Sequence, residues 1–455
     1  MADKRQFLIY DNDGRSTRFI LGTKEVPAPV FIPEIKNSED LEVLLRFEDA
    51  MDKNNPIMVP TNLWKSFVEN PKFKKRSFDR ISLSDLVWSH PILFYEPPEL
   101  FRYKMPEEFL SYSIGGNSSK KKEFLKHLKA GNVEAALNVI PPVYRAFMRR
   151  QIYELCKIKE IPIPPAIQKS RVVDGWWGKE TNEFFPAYIL EMLLTALKVQ
   201  DAAIVPPVPP ISKSNVGAEI RRTLAVNSLT NYICRRYGQG KIYPYFHIYV
   251  DWQILDPILN LVPQIVEAFE EELSTGDYCG VAITINGYQA ACSKGKFEAI
   301  EGFIQEIINV AHENYLPLIL PRSGWYGLYL TDYGVQAFSS LLNGAERYTP
   351  RGGRGEPEDK YGKVPVYGIC KELKYRDLLR YLEIHGEFPD IPGLPRRPDP
   401  DAIGNHRKFR ILFGKPWRLS HCQEAREVRD GLIHGVKSPA KRYLERSEHP
   451  YLKNI

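Results

Sequence analysis

Short runs of consecutive apolar residues, closed by proline, asparagine, aspartate or glycine, recur along this chain at 29–33, 56–60, 92–95, 202–205, 247–250, 280–285, 316–320 and 337–342. They are continuous rather than alternating and contain many β-branched residues, the pattern of strands covered on both faces in a parallel sheet. Between them the apolar period changes. Residues 263–273 and 296–311 carry apolar positions three and four apart, as amphipathic helices lying on such a sheet do. Eight strands with interleaved helices predict an α/β fold, a (β/α)8 TIM-like barrel.

One stretch is too long for a single strand–helix unit. Residues 102–200 hold about three helical patterns, at 133–137, 142–157 and 182–199, and are expected to be a helical insertion. Its entrance, Ser113-Ile-Gly-Gly-Asn-Ser-Ser-Lys-Lys-Lys122, has the composition of a mobile loop running into a basic helix start. A Gly- and Arg-rich loop, Tyr348-Thr-Pro-Arg-Gly-Gly-Arg-Gly-Glu-Pro-Glu-Asp359, follows the last strand, and 388–400 reads as a proline-rich surface excursion. Residues 1–360 are therefore assigned to the barrel with its insertion, and 361–455 to a C-terminal appendage.

Composition narrows the class without choosing a function. With 455 residues, 43% hydrophobic and 26% charged, the chain has the content of an ordinary globular protein with a sizeable core. A net charge of +6, from 62 basic and 56 acidic residues, is compatible with nucleic acid without requiring it. The 6 cysteines form no CxxC pair and no dense framework, which favours a reducing compartment. Met-Ala-Asp-Lys-Arg-Gln at the N-terminus lacks the apolar core of a signal peptide, and no run of about 18 apolar residues occurs. A cytoplasmic protein with no membrane partner and no cofactor is expected, with oligomerisation left open.

Barrel enzymes carry their working residues at the C-terminal ends of the strands. That rule selects Glu34, Asn62, Glu96, Asp251, Asn286, Arg322 and Arg347. Asp251, in Tyr249-Val-Asp-Trp-Gln253, sets a carboxylate beside an aromatic and an amide, a combination suited to a flat base, although a cap for the following helix needs the same residue. Glu96 and Glu99 flank Pro97-Pro98, either as paired acids or as solvated acids on a stiff loop. Arg322-Ser323-Gly324-Trp325-Tyr326 supplies a guanidinium, a hydroxyl and two aromatics for anion binding and stacking. Arg347, Arg351 and Arg354 make a basic loop that could track phosphates; Arg221, Arg222, Arg235 and Arg236 lie on a nearby helix and equally suit a solvated face.

Several segments, taken in order, resemble the tRNA-guanine transglycosylase family. Leu21-Gly-Thr-Lys-Glu-Val-Pro-Ala-Pro-Val-Phe-Ile-Pro33 is similar to the family's opening hairpin and its TPxFMP strand. The stretch from Tyr367 through Cys370 to Tyr381 resembles the one that carries the family's third zinc cysteine and the helix after it. His421 stands where the family has its zinc histidine, and Val428-Arg-Asp-Gly-Leu-Ile-His-Gly435 matches its IRxAIxxG helix. The resemblance implies a barrel that exchanges guanine for another base, such as a 7-deazaguanine, in tRNA or DNA.

The departures fall on the chemistry. The family's CxCxxC reads Pro365, Tyr367 and Cys370 here, and tetrahedral zinc takes four strong ligands, so no metal is expected even with Cys422 beside His421. The aspartate nucleophile of the family's last strand is replaced by Ser339, and its DSGGFQ acid/base loop has no counterpart; the third strand ends Phe94-Tyr-Glu96. The expected site is therefore Asp251 and Glu96 as catalytic carboxylates, Asn286, Arg322, Ser323, Trp325 and Ser339 around the base, and Arg347, Arg351 and Arg354 on the polymer. The alternatives are a barrel that binds nucleic acid or a partner protein without catalysis, and an unrelated barrel enzyme using Asp251 and Arg322 on a nucleotide-like substrate.

Overall fold

The computed structural model describes residues 6–11, 16–35, 40, 41, 43, 44, 50–52, 54–61, 64, 77, 78, 81, 82, 90–96, 106–114, 117–167, 179–213, 216–288, 291, 297–342, 363–366, 371–388, 396–405 and 419–431. Three short strands, β1 (Leu8–Tyr10), β2 (Ser16–Leu21) and β3 (Lys24–Pro27), form an antiparallel sheet at the start of the chain. The barrel strands follow as β4 (Val30–Glu34), β5 (Ile57–Val59), β8 (Ile92–Tyr95), β9 (Ala202–Val205), β10 (Tyr245–Asp251), β11 (Gly280–Asn286), β12 (Leu318–Leu320) and β13 (Ala337–Leu341). A two-residue ladder, β6 (Ser77–Phe78) with β7 (Ile81–Ser82), lies between β5 and β8 in sequence.

All eight long apolar runs are strands of one parallel sheet, in the order β10-β11-β12-β13-β4-β5-β8-β9. The two ends of that order meet at a parallel bridge between Ile204 and Pro244, where the Ile204 N–H donates to the Tyr243 carbonyl at 3.5 Å. The barrel is thus nearly closed, and a second parallel bridge, Ile211 to Val250, holds the chain after β9 to β10 near the mouth, the Ile211 N–H donating to the Tyr249 carbonyl at 2.8 Å and the Asp251 N–H to the Ile211 carbonyl at 3.0 Å. Burial on both faces explains the continuous apolar runs: β4, β5, β8, β9 and β13 are buried at every position.

Helices α1 (Pro106–Ser113), α2 (Ser118–Lys129), α3 (Val133–Asn138), α4 (Pro142–Ile158) and α5 (Lys179–Ala196) lie between β8 and β9 as the expected insertion. Among the described residues it holds five helices rather than about three. The basic start lies in α2 itself, whose N-terminus is capped by Asn117: its side-chain oxygen accepts from the Ser119 and Lys120 N–H groups at 3.0 and 3.1 Å. The helices pack one on the next, α2 on α3, α3 on α4, α4 on α5, and α5 on β9 and on α6 (Val216–Tyr237).

Helices α7 (Val262–Thr275) and α8 (Phe297–Glu313) match the two amphipathic patterns, with Ile265, Phe269, Ile304 and Ile307 buried. After α9 (Gly324–Leu330) and β13 come a small hairpin, β14 (Lys363–Val366) with β15 (Lys371–Lys374), and α10 (Tyr375–His385). The proline-rich excursion is pinned at its base, where the Phe388 N–H donates to the Arg396 carbonyl at 2.8 Å. The four-residue α11 (Pro400–Ile403) precedes α12 (Ser420–Arg429). Helix α12 returns to pack on β4, the first barrel strand, and on α9, so the end of the appendage supplies an outer helix of the barrel. Arg426 and Arg429 both reach Asp52, at 2.8 and 2.5 Å, and Arg429 also donates to the Pro29 carbonyl at 2.9 Å.

The opening hairpin contacts the end of the barrel where the strands begin. The Phe7 and Leu8 N–H groups donate to the Tyr315 carbonyl ahead of β12, and Thr23 donates through its N–H and its hydroxyl to Asp201 ahead of β9. Gly22 makes that approach feasible. Its φ of +65° is left-handed, and a Cβ there would lie 2.8 Å from the Asp201 Cα. The opposite end, where the strands finish, carries the polar side chains described next. Among the described residues, no helix is long and apolar enough to cross a membrane.

Candidate active site at the barrel mouth

Side-chain contacts fix which positions face inward. Phe31 of β4 and Phe338 of β13 pack on the His421 ring of the outer helix α12, so the alternate positions Glu34 and Ser339 face the interior. On β10 and β11, His247 and Thr284 meet inside the barrel at 2.9 Å. By the two-residue period, Asp251 and Asn286 share that inner face at the strand ends. They are also direct neighbours, because β10 and β11 run in register from Tyr245–Gly280 to Asp251–Asn286. The Asn286 amide donates to Asp251 Oδ1, and both residues are partly exposed. Asp251 precedes a turn of 3-10 helix at Trp252–Leu255, but its side chain caps nothing there.

Across the mouth, Glu34 and Arg322 form a buried ion pair. Arg322 Nε lies 2.9 Å from Glu34 Oε2, and Nη2 lies 2.7 Å from Oε1, with the two side chains 1% and 7% exposed. This paired, two-oxygen geometry is what makes such a desolvated pair tolerable; removing one partner would strand the other charge. Arg322 stands at φ +56°, a left-handed conformation uncommon for a residue with a Cβ. Three contacts hold it there: the Glu34 carboxylate, its own N–H donated to Ser339 Oγ at 2.9 Å, and its guanidinium 5.9 Å from the centre of the Tyr95 ring. The Ser339 hydroxyl also points at the Met58 sulfur at 3.6 Å.

Beneath this pair runs a buried polar chain. His247 Nδ1 lies 2.6 Å from the Pro206 carbonyl, which can only accept, so Nδ1 carries the proton. Nε2 must then accept from Thr284 Oγ1 at 2.9 Å, leaving that oxygen to accept from the Tyr95 hydroxyl at 3.3 Å. The direction of every bond follows from one carbonyl. Burial lowers the His247 pKa to about 4, against the opposing pull of the Pro206 carbonyl, so the imidazole is neutral near pH 7. The backbone of His247 is fixed by Asn227 of α6, which accepts its N–H at 2.8 Å and donates to its carbonyl at 2.9 Å.

The other expected site residues fall in several places. Glu96 is fully buried, and its Oε1 accepts the Thr61 N–H at 2.7 Å, tying the ends of β5 and β8 together. Ser323 turns back to the Leu320 carbonyl at 2.8 Å. The stretch at 322–326 leads into helix α9, which packs on β13 so closely that a Cβ on Gly327 would lie 2.4 Å from Phe338 Cβ. Trp325 belongs to that helix, and its side chain lies outside the described residues. Asn62, Glu99, Arg347, Arg351, Arg354, Tyr367 and Cys370 also lie outside them.

At the metal position of the resembled family, His421 is fully buried, with Nδ1 3.0 Å from Glu424 Oε2 and its ring 5.0 Å from Phe31. Burial pushes the neighbouring Cys422 thiol up to about 12, with Asp52 adding to the rise and Arg426 and Arg429 opposing it. Among the described residues, no group of three or more metal-ligating side chains occurs.

No protein-family model matches the chain, and no curated protein is similar enough to match it. The interior therefore stands on its own geometry. It brings together Asp251 with Asn286, and Arg322 with Ser339, and it adds Tyr95, His247 and Thr284, to which the strand-end rule gave no role. Their signal was in the sequence: Tyr95 is the polar-bearing residue that closes β8, and His247 and Thr284 stand inside β10 and β11, four and two residues before the strand ends. The strand-end rule selects Glu34 and Arg322 separately, but not their pairing.

Proposed function

We propose that this chain is a divergent transglycosylase-like barrel that acts on a nucleobase of tRNA or DNA at the mouth formed by Asp251 and Asn286. The observation that carries this reading is the difference among three mouth carboxylates. Glu34 is neutralised by Arg322, and Glu96 accepts a backbone N–H in a fully buried position. Asp251 is partly exposed, inward-facing, and hydrogen-bonded to a neutral amide. A carboxylate with an amide beside it matches the donor and acceptor edge of guanine or a 7-deazaguanine.

In base exchange, Asp251 would face the sugar rather than the base edge: its carboxylate would attack C1′ as the C1′–N bond to guanine breaks, with guanine leaving as it gains a proton from water. The incoming base would then displace the carboxylate and lose its ring N–H proton to water. Asn286 orients Asp251, and the Glu34–Arg322 pair holds the opposite wall. A second reading, recognition without exchange, is favoured by Ser339. It stands at the nucleophile position of the resembled family, and its hydroxyl accepts from the Arg322 backbone and faces Met58.

The test incubates labelled guanine and a labelled 7-deazaguanine with tRNA and with duplex DNA, comparing the wild-type protein with Asp251→Asn. Incorporation lost in the variant supports exchange. Binding of the base without incorporation, weakened by about 10- to 100-fold in the variant, supports recognition alone. Base binding that is absent, or equal in both proteins, rules out Asp251 as the base-reading group.

A further inference from the structure

We infer that the lysine face of helix α2 is a docking surface for the phosphate backbone of a nucleic acid. Helix α2, Ser118–Lys129, carries Lys120, Lys121, Lys122, Lys126 and Lys129 against one acid, Glu123. It buries only Phe124 and Leu128, and it is the far end of the stack of insertion helices that leads out from the barrel. At 100° per residue, Lys122, Lys126 and Lys129 fall on the face opposite those two apolar residues. All three are exposed, and they succeed one another along the axis by about 6 and 4.5 Å, at a rise of about 1.5 Å per residue. Among the described residues, none of the five lysine side chains makes an ion pair.

Part of this charge is unfavourable to the helix that carries it, in the first turn and between neighbouring lysines, although Lys126 and Lys129 lie in the last turn, where the dipole favours cations. The first turn contains no acid and begins a run of three lysines at the end where the helix dipole is positive. Lys122 and Lys126 stand four residues apart as a like-charged pair, and Lys126 and Lys129 stand three apart. Asn117 supplies the only side-chain compensation seen at that end. A surface chosen for solubility or helix stability would place acids in the first turn and alternate the signs. Local rules are broken in this way where a site serves a ligand, and a row of phosphates relieves both repulsions at once. That the polyanion is a nucleic acid rests on the base-directed reading of the barrel mouth; the phosphodiester backbone is the chemistry that tRNA and duplex DNA share.

The experiment measures binding of fluorescently labelled duplex DNA and of labelled tRNA by anisotropy across a salt series, using the full chain and the triple variant K122Q/K126Q/K129Q. The expected result is binding weakened by at least about tenfold at low salt. For duplex DNA, the slope of log K against log salt should be shallower by about 2.7, at about 0.9 for each phosphate that the variant leaves unneutralised. The variant's melting temperature should stay close to that of the wild type, since relief of the Lys122–Lys126 repulsion is offset by loss of the favourable last-turn cations. Unchanged affinity and slope would overturn the proposal. A loss confined to phosphatidylserine vesicles would also overturn it. Asp251→Asn is expected to keep the wild-type salt slope, so failure of the lysine surface and failure of the base site are read separately.

Discussion

His247 is the residue whose environment makes the clearest demand on the solution behaviour of the protein. Its folded pKa of about 4 lies below the unfolded value of about 6.5, so the unfolded chain binds the extra proton first as pH falls. The neutral imidazole is therefore fully compatible with the fold above about pH 6.5, and stability falls progressively between about pH 6.5 and 4. The difference is on the order of 3 kcal/mol at about 1.4 kcal/mol per pH unit. Urea unfolding across that pH range should show this loss in the wild type. His247→Gln, which cannot titrate there, should flatten that part of the curve; an equally steep fall in the variant would assign the acid sensitivity to other groups. Burial keeps this ring neutral, and its tautomer is set by the Pro206 carbonyl on one side and the Thr284 hydroxyl on the other, both unreadable from the residues flanking His247.

At the scale of elements, the contact between α9 and β13 positions the arginine of the mouth. Arg322 links β12 to α9 in a left-handed conformation, and the helix reaches β13 only because Gly327 has no side chain. A Cβ there would lie 2.2 Å from Ser323 Oγ and 2.4 Å from Phe338 Cβ, so the helix would have to move. Gly327→Ala is expected to cost about 1–3 kcal/mol of stability, as overpacking does, and to loosen the Arg322–Ser339 contact. Chemical denaturation would measure the first effect, and hydrogen exchange at the Arg322 amide the second. A stability change below about 0.5 kcal/mol would mean that α9 has room the geometry denies it. The helical patterns at 263–273 and 296–311 were legible because amphipathic burial is written in local spacing. The five-helix content of the insertion was less so: the patterns at 133–137, 142–157 and 182–199 became α3, α4 and α5, whereas α1 is short and α2 is largely polar and owes its start to Asn117.

On the scale of the whole molecule, the chain ends are joined across the barrel wall. Helix α12 covers Phe31 and Phe338 with His421, and it is clamped by Arg426 and Arg429 on Asp52, which is 29% exposed. Asp52→Ala should leave the aromatic packing in place while removing the shared anion, at a cost of about 1 kcal/mol for partly exposed pairs. Deuterium uptake over 420–429 should then rise, with uptake in β10 and β11 unchanged. Equal protection of α12 in both proteins would place its attachment entirely in the apolar contact. At this scale His421 is a buried aromatic partner of Phe31 and Phe338, and Cys422 is buried beside it.

By itself, the sequence determined the number, order and type of the barrel strands, because burial on both faces of a parallel sheet imposes continuous apolar runs that each segment records independently. It also placed Glu34, Glu96, Asp251, Asn286 and Arg322 at or just past the strand ends. Only the tertiary structure decided which of those residues meet. Glu34 and Arg322 are 288 residues apart, and they pair because β12, β13 and β4 are consecutive around the barrel; Asp251 and Asn286 meet because β10 and β11 run in register. Such pairings depend on sheet order and stagger, which are set by how the whole barrel closes and leave no trace in local spacing.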